Sequence, residues 1–558
     1  MTDQTTSSVA RHSAAGTVGR EDFKVIAASS IGTVFEWFDF FLYGSMAVVI
    51  SRHFFSGVDP STAFILALLA FAAGFAVRPF GALIFGALGD VWGRKRTFIF
   101  TLALMGAATF AVGLLPTYAQ VGVASPWILV ALRMLQGLSV GGVYGGAAIY
   151  VAEHAPHDRR GFYTSFIQTT ATAGMALSLT VIFGTRTVLG EETFNDWGWR
   201  VPFLMSAILL AVTMWIQLKL QESPVYLKMK ASGTQSKAPL SEAFGNWKNL
   251  KIVIIALTGV VIAQAVVWYA AQFYALFFLE RVLKVDGPVA NLLIAGSLVI
   301  STPLYVLFGW LSDKVGRKKI VITAATLACL TYFPLFKALT GAANPLLAQA
   351  TATAPVTVFA DVSECSFQFD LLGRTNLFTS SCDIAANYLS NAGISYDKIE
   401  ATPGAIAEMR VGDQVLASFK GTDLSAEELA ARRAQWQQQA GAMLTAAGYP
   451  AKAETSNINI PLTLLILLTI MTPAAMIYGP MAALLVELFP ARIRYTSLSL
   501  PYHIGTGWFG GFLPITSFAI VAAVGNIYSG LWYTVGFAAF SLVCGLLFLP
   551  ETKDRQIT

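Results

Sequence analysis

Apolar runs long enough to cross a bilayer recur twelve times along this chain. They fall at 24–51, 62–89, 98–116, 126–152, 163–184 and 200–219, then, after a polar stretch at 220–250, at 251–279, 288–312, 320–340, 458–486, 496–523 and 529–549. A run of about 20 apolar residues crosses the hydrocarbon core as an α-helix, which satisfies its own backbone hydrogen bonds there. Charged residues make up only 12% of the 558, and hydrophobic ones 55%, against roughly 25% charged in a soluble domain. Mean hydropathy is +0.61. A water-soluble fold of this size could not cover its surface with so few charges. The sequence therefore predicts an all-α membrane protein of twelve transmembrane helices, six plus six.

Lys and Arg set the expected orientation. One set of loops carries Arg94, Lys95 and Arg96; Arg159 and Arg160; Lys228, Lys230 and Lys237; Lys314, Arg317, Lys318 and Lys319; Arg492 and Arg494; then Lys553 and Arg555. The alternate loops hold little beyond Arg52, Arg186, Arg281 and Lys284. Both termini are expected on the cytoplasmic side. The net charge of +5 reads as this loop bias and not as nucleic-acid binding. The first 22 residues are polar and lack the apolar core of a signal peptide. The expected division is 1–220 for the first six helices, 221–250 for a cytoplasmic linker, 251–340 with 458–558 for the second six, and 341–457 for an insert.

The two halves repeat. GALGDVWGRKR (86–96) follows the second run and GWLSDKVGRKK (309–319) the eighth. Glu153, Pro156 and Arg160 share their spacing with Glu487, Pro490 and Arg494. Asp90 lies 63 residues before Glu153, but Asp313 lies 174 before Glu487. The surplus is the polar stretch 341–457, which the topology places outside, in the periplasm of a Gram-negative cell. Cys365 and Cys382 both fall there, where a disulfide can form; two free thiols are the alternative. Ser425 and Glu428 frame a capping box ahead of a helix to about Ala447. PVTVFA (355–360) and QVLASF (414–419) read as short strands, so the insert is a small α+β module. Cys329 and Cys544 sit in apolar segments as core residues. No metal-ligand spacing is present.

The repeated loops read as latches. Gly93 and Gly316 permit unusual backbone angles, and Asp90 with Arg94, like Asp313 with Arg317, can pair or sit at a helix N-terminus. Glu153 and Arg160, with Glu487 and Arg494, are expected gate contacts that break and re-form. Gly137, Gly141 and Gly145, four apart, mark a close-packing face. Charge inside a span is costly and usually faces a cavity or a partner. Glu36 and Asp39, three apart, are candidates for carrying a proton, with Tyr43 one turn beyond. Arg78 and Arg133 are candidates for an anion site, Arg133 the better one. A structural ion-pair network is the competing account of all four. Gln264, Trp268 and Gln272, at i, i+4 and i+8, with Tyr269, form a possible substrate-facing stripe; ordinary packing accounts equally for each aromatic. His503 can titrate, or simply hydrogen-bond a neighbouring helix. There is no G-x-x-x-x-G-K-[ST] loop for ATP, so energy would come from a gradient or from nothing.

These motifs resemble those of the major facilitator superfamily. RMLQGLSVGG, with Arg133, Gln136, Gly137 and Gly141, matches a second superfamily motif, and Gln136 joins the expected substrate contacts. WRVPF (199–203), ESP (222–224) and PETK (550–553) are similar to segments of sugar and organic-ion porters. GTVFEWFDFFLYG (32–44), RPFGA (78–82) and LPYHIGTGWFGGFLP (500–514) resemble the metabolite:proton symporter family. Val91 stands where the superfamily often has Arg, which would weaken the first latch. The long insert with its cysteine pair is similar to that of the haloacid and short-chain monocarboxylate permeases. The resemblance implies two six-helix bundles around a central cavity, alternating access, and proton-driven uptake of a small organic anion, a short monocarboxylate or haloacid first. A dicarboxylate such as 2-oxoglutarate, or a zwitterion such as proline or betaine, is the alternative. It implies a monomeric carrier of the bacterial inner membrane, in contact with lipid, without enzyme activity, nucleic-acid partner or cofactor other than the proton. A membrane sensor with a ligand-binding insert is the rival class, but it would need an output domain larger than 220–250.

Overall fold

A computed structural model of the chain describes residues 20–57, 60–219, 222–366 and 378–557. Most of the polar N-terminal stretch and the first residues of the expected linker lie outside them. Among the described residues, eleven helices are long and apolar enough to span a membrane, and one bent pair makes a twelfth. Helix 1 is that pair: Ser30–Ser45 and Ala47–Phe54 meet at 63°. The sequence reads as one straight run there; the break follows Gly44, whose residue type favours helix poorly. Helices 2 to 6 are Pro60–Trp92, Arg94–Leu114, Ala124–His154, Arg160–Leu189 and Arg200–Lys219. Helices 7 to 9 are Trp247–Val282, Gly287–Val315 and Arg317–Ala343. Helices 10 to 12 are Ile460–Leu488, Ala491–Val524 and Leu531–Phe548.

Two spans that later bear on the site are irregular. Helix 7 contains π turns at Leu257–Val261, Ala270–Tyr274 and Phe278–Val282, and helix 11 contains one at Gly505–Gly510. A π turn inserts an extra residue and rotates everything beyond it around the helix axis. The stripe predicted from i, i+4 and i+8 spacing therefore ends at Tyr269. Gln272, inside the second π turn, turns toward helix 10 and donates to Met471 Sδ at 3.5 Å.

The insert leaves helix 9 through a short helix, Pro345–Thr353, and forms a four-stranded sheet. Its strands are β1 (Val356–Ala360), β2 (Tyr396–Glu400), β3 (Glu408–Val411) and β4 (Gln414–Ala417), in the order β2-β1-β3-β4. β1 pairs parallel with β2, Val356 opposite Tyr396, and antiparallel with β3, Val356 opposite Val411. A helix at Ser381–Ala392 joins β1 to β2, and the expected capping box starts a second, Ala426–Ala446. The two helices touch through Tyr388 and Trp436, 5.6 Å between ring centres. β1 and β4 match the strands read from sequence; β2, polar and mostly exposed, gives no alternating signal. Cys365 and Cys382 form a disulfide, their Cα atoms 5.3 Å apart.

The insert docks on the second half of the molecule. Lys284 Nζ donates to the Asn391 carbonyl at 2.6 Å, and Tyr396 N–H to the Gly525 carbonyl at 2.7 Å. Tyr396 Oη and Lys398 Nζ reach the carbonyls of Ala522 and Ala523 at 2.9 and 2.6 Å. Burial at this seam pushes the Lys398 ammonium below its ordinary pKa.

Helices 2 and 4 pack backbone to backbone. A Cβ at Gly137 would overlap the carbonyl of Gly74, and one at Gly141 the backbone of Gly81 and Ala82. Gly145, on the same four-residue period, instead faces Tyr495 and Ser499 of helix 11. Gly137→Val should therefore lower stability by about 1–3 kcal/mol, the usual range for overpacking. Gly184→Ala, with nothing within 4 Å, should leave it unchanged or slightly raised. Thermal melts of the detergent-solubilised protein compare the two, and equal melting temperatures would refute the close-packing assignment.

Candidate transport site and gate

At the end of the molecule that carries the basic loops, each half holds the other shut. Asp90 sits in the last turn of helix 2 and Arg94 opens helix 3. They pair at 3.0 Å, and both side chains are fully buried. The sharp turn between them runs through Gly93 at φ +116°, where a Cβ would also strike the Glu222 carboxylate. Asp90 accepts the N–H groups of Tyr495 and Thr496 at 3.2 and 2.9 Å, and the Thr496 hydroxyl at 2.8 Å. Those N–H groups belong to the first turn of the regular helix in span 11, where backbone donors lack helical partners. The second half repeats the device. Asp313 pairs with Arg317 at 2.8 Å and accepts the N–H groups of Gly161 and Phe162 at 2.8 and 2.7 Å, at the start of helix 5. Gly316, at φ +107°, makes the turn.

The Glu and Arg of the second repeated motif are exchanged between halves. Arg494 pairs with Glu153 at 2.7 Å, and Arg160 approaches Glu487 at 3.9 Å, while Arg317 reaches Glu487 at 3.1 Å. Two carboxylates and two guanidiniums thus meet at each corner. Two further residue pairs complete the corners, and sequence reading missed their equivalence. Glu222 caps helix 3 through Lys95 N–H at 3.0 Å, and Ser223 donates to Glu153. Glu551 caps helix 9 through Arg317 N–H at 2.9 Å, and Thr552 donates to Glu487 at 2.7 Å. The signal was a Glu-Ser and a Glu-Thr, one after the sixth run and one after the twelfth. Val91 is exposed and offers only its carbonyl to Tyr226, so its side chain leaves the Asp90 latch intact.

Above the corners, Tyr144 of helix 4 stacks on Tyr502 of helix 11 at 3.7 Å, and Tyr502 shares a 2.9 Å hydrogen bond with Tyr478. These rings floor a narrow cavity between the halves. Helices 1 and 2 line it with Glu36, Trp37, Phe40 and Arg78; helices 7, 10 and 11 with Gln264, Trp268, Tyr269, Tyr478, Tyr502 and Thr506. The cavity is tight: the volume open to the centre of a water-sized sphere is about 20 Å³. On the insert side the halves touch through Trp37 and Trp268 at 5.4 Å, Phe40 and Phe273 at 5.8 Å, and Phe75 and Tyr269 at 6.5 Å.

The two intramembrane arginines differ sharply. Arg133 lies behind the wall in a closed network. It approaches Asp39 at 3.5 Å and donates to Gln136 Oε1 at 2.5 Å. Gln136 and Thr109 donate to Asp39 at 2.9 and 2.8 Å. The Tyr43 ring lies 3.9 Å below the guanidinium, with its hydroxyl on the Ala67 carbonyl at 3.1 Å. Thr109 is a member that sequence reading missed, since a Thr in an apolar run carries no signal of its own. Arg78 faces the cavity. Among the described residues it has no carboxylate partner, its buried Nε has no acceptor, and its guanidinium rests 4.2 Å from the Phe75 ring. Glu36 lines the same cavity, also without an ion-pair partner among the described residues.

Of the residues expected at the site, the structure thus gathers Glu36, Arg78, Trp268 and Tyr269 around one cavity. It places Asp39, Tyr43, Arg133 and Gln136 behind the cavity wall, and Gln272 around the helix from it. His503 is fully buried and off the cavity surface. Gln264, expected only as one member of the stripe, has a buried Oε1 with no donor on the cavity wall.

Residues 24–243 match the family described as sugar (and other) transporter. The chain is 35% identical over 329 residues to the Escherichia coli inner membrane metabolite transport protein YhjE, covering 58% of this chain and 74% of that protein. The chain belongs to this transporter family of the major facilitator superfamily. The transporter is also 35% identical to the proline/betaine transporter of Salmonella typhimurium, over 56% of this chain and 64% of that protein's length. To the shikimate transporter of Escherichia coli it is 34% identical, over 56% and 71% of the two chains. Its fold is similar to that of the proton:xylose symporter XylE, a major facilitator superfamily protein, at a TM-score of 0.63 and 17% identity over 96% and 97% of the two chains.

The latch makes a measurable claim about the transporter's equilibrium. Hydrogen bonds to a charged group contribute about 1.5–3 kcal/mol each, so Asp90→Ala or Asp313→Ala should open the basic end roughly tenfold or more. With Cys329 and Cys544 replaced by Ala, a cysteine placed at the fully buried Ser499 should be alkylated at least tenfold faster in either variant. Unchanged labelling would mean that these contacts do not hold the gate.

Proposed function

We propose that this chain is a proton-coupled symporter of a small organic carboxylate, with Arg78 as the carboxylate anchor and Glu36 as the proton acceptor. The observation that carries the reading is Arg78: a guanidinium on the cavity wall that has no ion-pair partner among the described residues and shares the cavity with Glu36. A guanidinium offers a planar fork that fits a carboxylate with two parallel hydrogen bonds. Protonation of Glu36 leaves Arg78 as the cavity's charge, which favours loading of an anion. Release of the proton restores the carboxylate and repels the bound anion, so the two ligands travel together. Asp39 holds Arg133 instead and belongs to the framework.

The cavity's lining narrows the substrate class. Arg78 is its one basic lining residue, which suits one carboxylate better than two and disfavours a dicarboxylate such as 2-oxoglutarate. A short monocarboxylate or haloacid is the first reading. A zwitterion such as proline or betaine is the second, favoured by the Trp37, Trp268 and Tyr269 faces beside Glu36, because aromatic faces attract quaternary ammonium groups. The relatives named for proline and betaine support that second reading. Alternating access with the basic loops on the cytoplasmic side and the insert outside completes the proposal.

Uptake by proteoliposomes under an imposed pH gradient tests it, across short monocarboxylates, haloacids, 2-oxoglutarate, proline and betaine. Arg78→Lys should raise the KM about tenfold or more, since the fork is lost, and Arg78→Ala should abolish uptake. Glu36→Gln should retain exchange but lose accumulation. Arg133→Ala should instead lower the melting temperature, because stranding buried Asp39 costs about 3–5 kcal/mol. An unchanged KM in both Arg78 variants, or full accumulation by Glu36→Gln, would refute the assignment.

A further inference from the structure

The disulfide of the insert lies where an open α/β sheet presents its functional edge. β1 is a central strand with a parallel neighbour, β2, on one side and an antiparallel one, β3, on the other. Ligand sites of open α/β sheets lie outside the carboxyl ends of the parallel strands. Cys365 follows β1 by five residues, and Cys382 sits in the first turn of the crossover helix, behind an N-cap at Ser380. That end of the module points away from the membrane helices. The opposite end, at Asn391 and Tyr396, is the one bonded to Lys284 and Gly525. The 381–392 helix sets Cys382 roughly 14 Å beyond that seam, at 1.5 Å per residue.

A second observation separates this bridge from a structural staple. Ser366, next to Cys365, donates its N–H and its hydroxyl to the Asp383 carboxylate, next to Cys382, at 2.8 and 2.6 Å. These bonds tie the same two segments at the same separation as the disulfide. The backbone of Asp383 is in turn fixed by the Ser380 hydroxyl at 3.0 Å. Opening the sulfur bridge would leave the two thiols beside each other, ready to close again. The two sulfurs are also unequal: Cys365 is partly exposed, while Cys382 is 1% exposed. A helix N-terminus stabilises the thiolate of a cysteine in its first turn and makes it the better leaving group.

We propose that Cys365 and Cys382 form a thiol–disulfide exchange centre that faces solution, and that its partner is a soluble dithiol protein. A thiolate of the partner attacks Cys365 Sγ. The Cys365–Cys382 bond breaks, and Cys382 leaves as the thiolate. The partner's second thiol, once deprotonated, attacks its own sulfur in the mixed disulfide and releases Cys365. The two protons lost by the partner's thiols return to Cys365 and Cys382. The partner is oxidised to a disulfide, this chain is reduced by two electrons, and the reverse sequence reoxidises it.

The full-length protein in detergent micelles is equilibrated with mixtures of reduced and oxidised glutathione, and separately with dithiothreitol, then alkylated and weighed by mass spectrometry. Both thiols should appear together in the folded wild-type protein, with unchanged circular dichroism, and the bridge should re-form when the reductant is removed. Cys382→Ser should accumulate glutathione on Cys365, at least tenfold more than Cys365→Ser accumulates on Cys382. The wild-type measurement stands alone if either variant misfolds. A bridge that resists both reductants until denaturant is added, or one that fails to re-form in the folded protein, would overturn the proposal and leave a structural disulfide.

Discussion

Everything at the closed end of this transporter depends on two carboxylates that cap helices belonging to the other half. A helix start leaves backbone N–H groups without partners, and in a membrane protein there is little water to satisfy them. Asp90 serves the start of the regular helix in span 11, and Asp313 serves helix 5. Each carboxylate is held by the arginine four residues on. The aspartate therefore cannot leave its distant helix without exposing both the N–H groups and its own arginine. The N–H groups, the aspartate and its arginine are thus linked in one contact. The Glu153 and Glu487 corners add ion pairs across the same face.

The same rule sorts the charges around the cavity. A guanidinium deep in the molecule must be neutralised or solvated. Arg133 is neutralised by Asp39, with Gln136 and Thr109 completing the shell. Arg78 is left to the cavity, and Glu36 shares that cavity without closing on it. The second π turn of helix 7 begins after Trp268 and Tyr269, which keep their place on the cavity, and sends Gln272 to helix 10.

The twelve spans, both repeated motifs, the insert's position and its second helix were legible in the sequence, because each rests on local period or spacing. The capping box at Ser425 and Glu428 forms as its residues specify. Pairing across the halves was not legible. The motif containing Glu153 and Arg160 gives no sign that each residue takes its partner from the other copy. Nor does an arginine in an apolar run reveal which side of its helix meets a cavity; on sequence Arg78 ranked below Arg133 because Pro79 follows it. The stripe through Gln272 failed because a π turn changes the period that the prediction assumes. β2 went unread because YDKIE shows mostly polar, exposed residues.

The exchange of Glu153 for Glu487 and of Arg494 for Arg160 has a consequence for how such a molecule can arise. Each half presents the same donors and acceptors that it needs from the other. An interface of that kind is isologous: it is complementary to a rotated copy of itself. A protein of one half's length, carrying a single Asp-Gly-Arg turn and a single Glu-Pro-Arg corner, would find every partner for those groups in a second identical subunit. Tandem fusion of two such subunits keeps the contact and frees the copies to diverge. One copy here received the insert, and the other kept the cavity's arginine.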